Sequence, residues 1–318
     1  MSIIFTVQEK CKGCYACIRN CPVKAIRVKE GIAGVIEERC VACGACITIC
    51  AVGAKQARSD KGVVRRLLGQ STPVIAVLSS VFPAAFPEVR SGQMVAAIKK
   101  LGFDEVTEAA FGAELVCREY GRMVRKNKGK PILASTCPAV TSLVEKHYPQ
   151  LIDSLAPIVS PMVAMGRVIK WRYNPEAKVV FIGPCVAKKA EAEDEKVAGV
   201  VDAVLTFPEL KEMLVAKGVD PLSEEEDRFS GPRPHLGRLF SVPGALLKIA
   251  GISDDILESD VVVAEGIDRA INCLMEFAQG KVKTKFMDIF FCQGCIDGPA
   301  IDKSLSLCGR REKIIDYA

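Results

Sequence analysis

Short apolar runs alternate with amphipathic stretches over most of the 318-residue chain. From residue 74 onward the runs are rich in Val, Ile and Phe, and each predicts a buried β-strand. They cover residues 73–79, 131–136, 178–184, 201–207 and 286–292. Between them, residues 92–102, 208–218 and 270–280 have the apolar spacing of helices. Strands that alternate with helices predict parallel sheets flanked by helices, the α/β class.

The N-terminal part of the chain follows another pattern. Residues 25–38 alternate like a short β-hairpin, and cysteines flank them on both sides. Residues 56–73 are polar and interrupted by Gly and Pro, which is typical of a connecting segment. We therefore expect a small α+β domain over residues 1–58, a linker over 59–73 and the α/β domain over 74–318.

Eight of the fifteen cysteines form two runs with the same internal spacing, Cys-x2-Cys-x2-Cys-x3-Cys. This is the spacing of bacterial two-cluster ferredoxins, in which the fourth cysteine of each run ligates the other cluster. It predicts one 4Fe–4S cluster on Cys11, Cys14, Cys17 and Cys50, and a second on Cys40, Cys43, Cys46 and Cys21. Gly13 and Gly44 let the loop backbone approach the sulfides closely. Zinc is the alternative metal, but the duplicated spacing favours iron–sulfur clusters.

Composition and charge narrow the class of protein. Hydrophobic residues make up 49% and charged residues 25%, a globular composition. No secretory leader pattern opens the chain and no run of 18 apolar residues occurs, so we expect a cytoplasmic protein without a membrane segment. In a reducing compartment, thiols at this density are metal ligands or catalytic groups. The formal charge of +5 does not indicate nucleic-acid binding, because three clusters of about −2 each would bring it to about −1.

Four further cysteines stand at the ends of predicted strands. Cys137, Cys185 and Cys292 each end or directly follow an apolar run, and Cys295 comes shortly after the last of them. Sites in open α/β sheets form at the carboxyl ends of strands, so these thiols are expected to converge on one buried cluster. A buried packing role is the alternative for each cysteine taken alone.

The segments around these cysteines, ILASTCPAVTSLVEKHYPQL, FIGPCVAKKAEAE and FFCQGCIDGP, resemble the three signature segments of iron-only (FeFe) hydrogenases. The resemblance extends over essentially the whole chain, including the ferredoxin domain. It implies an H-cluster between two lobes: a 4Fe–4S cube bridged through a cysteine sulfur to a diiron unit with CO, cyanide and a dithiolate amine. By position, the cube would be held by Cys137, Cys185, Cys292 and Cys295, with Cys295 the bridging ligand.

The resemblance also assigns polar residues of the second segment. Lys188 matches the lysine that pairs with a cyanide, and Glu191 matches the glutamate of the same segment. A fixed positive charge with hydrogen-bond donors suits an anionic ligand. The next residue, Lys189, is expected to stay solvated.

The predicted proton path departs from the family. Productive members have a second cysteine before the first ligand, where this chain has Thr136. The positions of the glutamates that relay protons fall near Tyr120 and Met123 by approximate alignment. A threonine hydroxyl does not ionise near neutral pH, so we expect proton transfer through Thr136 to be slow.

Other departures lie in the second and third segments. Gly183 and Phe290 replace methionines, and the last two ligands are Cys292 and Cys295 with two residues between them instead of three. These features resemble the sensory branches of the family. Cys117, Cys273 and Cys308 are left without a role and are expected to be buried thiols.

The expected function is therefore slow, reversible H2 oxidation and proton reduction, used to sense hydrogen or redox state. The expected partners are H2 and protons, a ferredoxin-like electron carrier, hydrogenase maturation proteins and a signalling partner protein. The alternative is a non-enzymatic iron–sulfur protein for electron transfer or redox signalling, which holds 4Fe–4S clusters but no diiron unit. The shortened third segment and Gly183 favour that alternative, whereas Lys188 and Glu191 favour the enzyme.

Overall fold

A computed structural model describes residues 2–127, 129–252 and 260–318 of the chain. The N-terminal part consists of two small antiparallel sheets and two single-turn helices, and it includes the predicted hairpin. Its elements in chain order are β1 (Ile4–Thr6), α1 (Ala16–Arg19), β2 (Ile26–Lys29), β3 (Ile32–Val35), α2 (Ala45–Thr48) and β4 (Lys55–Ala57). Strand β1 pairs with β4, and β2 pairs with β3.

Two parallel sheets form the frame of the remaining chain, as the alternating pattern predicted. The larger has four strands in the order β6-β5-β8-β9, and the smaller has three in the order β10-β11-β7. The strands are β5 (Val74–Leu78), β6 (Glu105–Glu108), β7 (Ile132–Leu133), β8 (Lys178–Gly183), β9 (Ala203–Thr206), β10 (Val261–Glu265) and β11 (Phe286–Phe290).

Helices cover both sheets. They are α3 (Lys61–Leu68), α4 (Phe82–Ala85), α5 (Ser91–Lys100), α6 (Ala109–Lys126), α7 (Pro138–His147), α8 (Pro161–Val168), α9 (Ala187–Ala192), α10 (Phe207–Lys217), α11 (Ala245–Ala250), α12 (Ile267–Ala278) and α13 (Leu307–Tyr317). The predicted fold class, an α+β ferredoxin-like domain followed by an α/β domain, is confirmed. Among the described residues, no helix combines the length and apolar character that crossing a membrane requires.

The buried faces explain the unbroken apolar runs. In β5, Val74, Ala76 and Leu78 pack with α5, α10 and α13, whereas Ile75 and Val77 pack with α8 on the opposite face. A strand covered on both sides has no solvent face and therefore lacks alternation. In the smaller sheet, one face packs against α6, and the other packs against α7, α12 and the N-terminal domain in a single core.

The predicted linker contains helix α3, whose Val64 is fully buried. The residue before this helix, Asp60, joins a buried ion network. Its Oδ2 lies 3.4 Å from the ammonium of Lys189, which also contacts Glu209 at 3.0 Å. The expectation that Lys189 is solvated is wrong, because its side chain is enclosed between these two carboxylates. The segment before β5 is thus fastened to the α/β part by charge as well as by packing.

Candidate metal centres

Both N-terminal cysteine loops turn through left-handed residues at equivalent positions. They are Gly13 (φ 65°) and Tyr15 (φ 58°) in the first loop, and Ala42 (φ 52°) and Gly44 (φ 82°) in the second. Residues in this conformation redirect backbone N–H groups and build the concave surfaces that bind anions. For Tyr15 and Ala42 the conformation costs about 1 kcal/mol or more. A thiolate-bound iron–sulfur cluster is an anion that such loops fit.

The fourth cysteine of each run has the same hydrogen-bonded environment. The backbone N–H of Ala25 donates to Cys21 Sγ at 3.2 Å, and that of Ala54 donates to Cys50 Sγ at 3.2 Å. A hydrogen bond to sulfur favours its charged form, the form that binds metal. The two halves of the repeat therefore prepare their last ligand in the same way.

The pKa shifts indicate that the fourth cysteine of each run lies close to the thiols of the other run. Burial raises the pKa of Cys43 and of Cys46 to about 12, and the charge of Cys21 adds to that effect. Burial likewise raises the pKa of Cys17, with a further contribution from Cys50. These thiols therefore lie near one another across the repeat, the arrangement that crossed ligation requires. The individual ligand assignments stay predictions.

The four later cysteines line one cavity of about 80 Å³. Cys137, Cys185 and Cys292 follow β7, β8 and β11, and Cys295 opens a short turn over residues 295–297. Because β8 belongs to the larger sheet and the other two strands to the smaller, the cavity lies where the carboxyl ends of both sheets meet. Among the described residues, no three His, Cys, Asp or Glu side chains converge on a single metal ion. The cavity holds several times the roughly 10–15 Å³ of one water, so it suits a group of several atoms.

Burial dominates the chemistry of these thiols. It raises the pKa of Cys185 to about 11 and that of Cys295 to about 12, and the charge of Cys137 adds to both. Lys188 acts in the opposite direction on each of them. Buried thiols of this kind lose their protons when a metal replaces them. The donor set thus fits an iron–sulfur cube.

Two polar side chains line the same cavity. Lys188 is 8% exposed, and its ammonium contacts Glu191 Oε2 at 2.7 Å. The hydroxyl of Thr136 is buried and has no hydrogen-bond partner. A buried hydroxyl without a partner is costly, so its place in the wall fits a ligand with polar atoms.

The structure gives a packing reason for Gly183. A Cβ at residue 183 would lie 2.6 Å from Cε1 of Phe181 and 3.1 Å from Cβ of Ser79. The rings of Phe181 and Phe290 both line the cavity. Two phenylalanines therefore form part of the apolar wall of the cavity.

The second N-terminal loop lies against the cavity wall. Cys43 and Cys292 line the same surface cleft, and the charge of Cys43 contributes to the raised pKa of Cys292, which burial mainly causes. A Cβ on Gly44 would lie 2.6 Å from Pro299, so the glycine permits this close approach. By contrast, Cys14 of the first loop is exposed. The repeat therefore has an inner half near the cavity and an outer half at the surface.

The residues expected at the relay positions supply no carboxylate. Tyr120 is fully buried, and its hydroxyl lies 2.9 Å from both Oγ and the backbone nitrogen of Ser135. Met123 packs at the edge of the same core. Asp288 was not predicted as a site residue; it is fully buried in β11, and neither of its oxygens has a hydrogen-bond partner among the described residues. Burial raises the pKa of Asp288 to about 7. An acidic residue inside an apolar strand was the signal that could have found it.

The three unassigned cysteines differ in environment. Cys117 is fully buried on α6, Cys273 is half-buried on α12, and Cys308 is exposed on α13. The expectation of buried thiols is correct for Cys117 and wrong for Cys308.

Two family descriptions match the chain. "Iron only hydrogenase large subunit, C-terminal domain" matches residues 70–299, and "4Fe-4S dicluster domain" matches residues 10–54. The second match agrees with the iron–sulfur prediction for the N-terminal domain.

Individual relatives point to the same family. The chain is 30% identical over 275 residues to the periplasmic [Fe] hydrogenase large subunit of Nitratidesulfovibrio vulgaris, covering 76% of this chain and 65% of the relative. It is 31% identical over 135 residues to the cytosolic Fe-S cluster assembly factor NAR1 of Yarrowia lipolytica, covering 37% of this chain and 27% of the relative. Across three curated hydrogenases, it spans 35% to 65% of their length.

The fold also has solved counterparts. A variant of [FeFe]-hydrogenase HydA1 from Chlamydomonas reinhardtii superposes with a TM-score of 0.69, covering 81% of this chain and 88% of that one. At 18% sequence identity this likeness concerns the fold alone.

Proposed function

The chain belongs to the iron-only hydrogenase family, and we propose that it catalyses slow, reversible oxidation of dihydrogen and reduction of protons in order to sense hydrogen or redox state. The observation that carries this proposal is the cavity in which four cysteines meet Lys188 and Thr136. The proposed ligands of a cube are Cys137, Cys185, Cys292 and Cys295, with Cys295 bridging to a diiron unit. When bound, that unit would supply the metal at which dihydrogen binds and is cleaved.

In this proposal Lys188 holds an anionic ligand in place. An ammonium group has three donors, and Glu191 accepts one of them at 2.7 Å. The remaining donors are available to cyanide-type nitrogen atoms, and burial strengthens that interaction. Glu191 fixes the direction of the ammonium and is therefore a positioning residue.

Electrons would leave through the N-terminal domain. Cys40, Cys43, Cys46 and Cys21 would hold the inner cluster next to the cavity, because Cys43 shares a cleft with Cys292. Cys11, Cys14, Cys17 and Cys50 would hold the outer cluster within reach of a ferredoxin-like carrier, because Cys14 is exposed. The proposed domains are residues 1–58 and 74–318. The proposed location is the cytoplasm, whose reducing conditions would keep the thiols free to bind iron.

Slow turnover is proposed because the proton path is interrupted. Thr136 lines the cavity, and its hydroxyl has no partner to receive or supply a proton. The buried hydroxyl of Tyr120 is held by Ser135, and burial raises its pKa, so it does not act as an acid near neutral pH. A slow hydrogenase suits sensing, in which a signalling partner protein would receive the output.

A second candidate function is a non-enzymatic iron–sulfur protein without the diiron unit. The similarity to NAR1, whose name describes a cytosolic Fe-S cluster assembly factor, favours it. The shortened spacing between Cys292 and Cys295 and the presence of Gly183 where a methionine is expected favour it as well. The position of Lys188 in the cavity favours the enzyme.

Infrared spectroscopy separates the two functions. Protein produced together with hydrogenase maturation proteins is expected to show CO and cyanide bands, and protein produced without them is not. A Lys188→Ala variant is expected to weaken or broaden the cyanide bands, by analogy with losses of about 10–100-fold on removing residues that support metal ligands. Cys308→Ala is the matched control, because Cys308 is exposed and has no proposed role in binding a cluster. If matured protein lacks CO and cyanide bands while it contains all its 4Fe–4S clusters, the enzyme is excluded and the second candidate stands.

A further inference from the structure

The N-terminal domain buries a lysine that has no acidic partner in the described part of the chain. Lys55 on β4 is 2% exposed, and its ammonium donates to Thr6 Oγ1 and to the carbonyl oxygen of Ala33, both at 2.6 Å. None of the ion pairs among the described residues includes it. Removing an ammonium from water is strongly unfavourable unless negative charge lies nearby. The two neutral oxygens alone do not compensate for it.

The thiols of both cysteine runs lie close enough to Lys55 for its charge to act on them, and they become negative when they bind metal. Hydrogen bonds from the backbone of Ala33 and Gly13 lower the pKa of Cys11, and Lys55 lowers it further. Ala33 therefore links the two groups directly, since its N–H bonds to Cys11 while its carbonyl oxygen accepts from Lys55.

The same ammonium acts on cysteines assigned to both clusters. Burial raises the pKa of Cys17, Cys40 and Cys46, and Lys55 opposes that rise in all three. Its influence thus spans the outer ligand Cys17 and the inner ligands Cys40 and Cys46. A surface lysine near one loop would not do this, because water and salt screen exposed charges.

We propose that Lys55 is the shared counter-charge of the two N-terminal clusters and sets their reduction potentials together. This inference rests on the cluster assignment of the proposed function. A cluster becomes more negative when it is reduced, so a fixed positive charge stabilises the reduced form and raises the potential. Because one ammonium acts on both clusters, it keeps neighbouring members of the electron path close in potential. Thr6 and Ala33 hold the ammonium in position.

The test is a potentiometric titration, followed by electron paramagnetic resonance, of protein that carries its 4Fe–4S clusters and no diiron unit. In Lys55→Met, the equilibrium constant for reduction is expected to fall at least tenfold for both N-terminal clusters, about 59 mV for one electron. The cavity cube is expected to keep its potential. Lys29→Met, at an exposed position of the same domain, is the matched control and is expected to shift neither cluster by more than about threefold.

A second variant covers the case in which Lys55→Met fails to fold or to retain its clusters. Thr6→Val removes one hydrogen bond to the ammonium and keeps its charge, so both potentials are expected to move in the same direction by a smaller factor. Unchanged potentials in whichever variant retains its clusters, or a shift in only one cluster, would overturn the shared counter-charge. The proposed function fails separately, if iron analysis of the unchanged protein finds no N-terminal clusters.

Discussion

Among the described residues, the N-terminal domain buries a lysine without an acidic partner, and strand β11 buries an aspartate without a basic partner. Lys55 is 2% exposed, and its ammonium donates to two neutral oxygens. Asp288 is fully buried, neither of its oxygens has a hydrogen-bond partner, and burial raises its pKa to about 7. We expect the proposed anionic clusters to act oppositely on the two residues, because negative charge stabilises a neighbouring cation and disfavours ionisation of a neighbouring carboxylate.

The outer N-terminal loop and the cavity prepare their thiols differently. In the outer loop, backbone hydrogen bonds lower the pKa of Cys11, and Cys14 is open to solvent. In the cavity, burial raises the pKa of Cys295 to about 12, and it does the same to Cys43 and Cys46 of the inner loop. The outer loop thus uses backbone groups and a fixed charge, whereas the inner loop and the cavity depend on metal to displace protons. The outer cluster is therefore expected to form whether or not the cavity is filled.

The largest expected effect comes from removing one cysteine in each region. Cys295→Ala should abolish retention of the diiron unit, because Cys295 is its proposed covalent link, and the infrared bands should disappear. Cys14→Ala should leave those bands unchanged and remove only the outer cluster, with a loss of about four irons. Iron analysis and infrared spectra of matured protein measure both results.

Cys308→Ala is the control for the loss of a cysteine that binds no proposed cluster, since Cys308 is exposed and has no proposed role. It should keep both the infrared bands and the full iron content. Native bands in Cys295→Ala would show that the bridging assignment is wrong, and Cys292 would be the next residue to examine.

The contrast between the regions also explains what the sequence was able to predict. Spacing alone located the eight N-terminal cysteines, because a cluster loop is a local structure whose ligands are close in the chain. The four later cysteines were placed by the rule that sites form at strand ends. That rule depends only on the alternation of strands and helices. Helices cover both faces of the larger sheet, so its strands are unbroken apolar runs that stand out in the sequence.

The buried charges were not predictable in the same way. Lys189 follows Lys188 directly, yet its ammonium points to Asp60 and Glu209, which lie far away in the sequence. Lys55 and Asp288 each look like an ordinary polar residue until the packing around them is known. Their burial depends on contacts between distant elements, and no local pattern encodes such contacts.

A smaller loss of stability is expected when the buried ion network of Asp60, Lys189 and Glu209 is disrupted. This network attaches the segment between the two regions to the α/β domain. Lys189→Met leaves Glu209 buried without its cation and Asp60 with Arg58 alone, which should lower the free energy of unfolding by about 3–5 kcal/mol. Denaturation of cluster-loaded protein followed by circular dichroism measures this. The control is Lys196→Met, because the Lys196–Glu145 pair is exposed and is worth about 1 kcal/mol or less.

The pH dependence of this variant provides a second check. Burial alone would raise the pKa of Glu209, but Lys189 and the hydrogen bonds from Thr206 outweigh it and lower that pKa. A lowered pKa contributes stability above the usual glutamate value of about 4.3, and that contribution is lost as the pH falls through the folded value. In Lys189→Met this acid sensitivity should diminish. If Lys196→Met, at an exposed position, reduces the acid sensitivity of stability equally, that sensitivity does not come from the buried network.

The smallest effect concerns the buried acid itself. The pKa of Asp288 is about 7 in the folded chain and close to 3.9 when unfolded, so the folded state binds more protons between these values. Stability should therefore fall as the pH rises through that window, by up to about 1.4 kcal/mol per pH unit. Asp288→Asn keeps the size of the side chain and cannot ionise. Its stability, measured by urea denaturation, should lose about 2 kcal/mol less than that of the unchanged protein between pH 5.5 and 7.

Asp302→Asn is the matched control for Asp288→Asn, because Asp302 is exposed and a hydrogen bond from the backbone of Ser304 lowers its pKa. Its contribution changes only at more acidic pH, so the slope between pH 5.5 and 7 should stay that of the unchanged protein. Only burial holds Asp288 neutral, and the nearby thiols Cys117 and Cys295 add no positive charge. Filling the cavity with an anionic cluster should therefore extend the sloping window to higher pH. If the stability of cluster-loaded and cluster-free protein changes equally with pH in this range, the charge in the cavity does not affect the ionisation of Asp288. The comparison of Asp288 with Lys55 as two residues that respond to cluster charge would then be wrong.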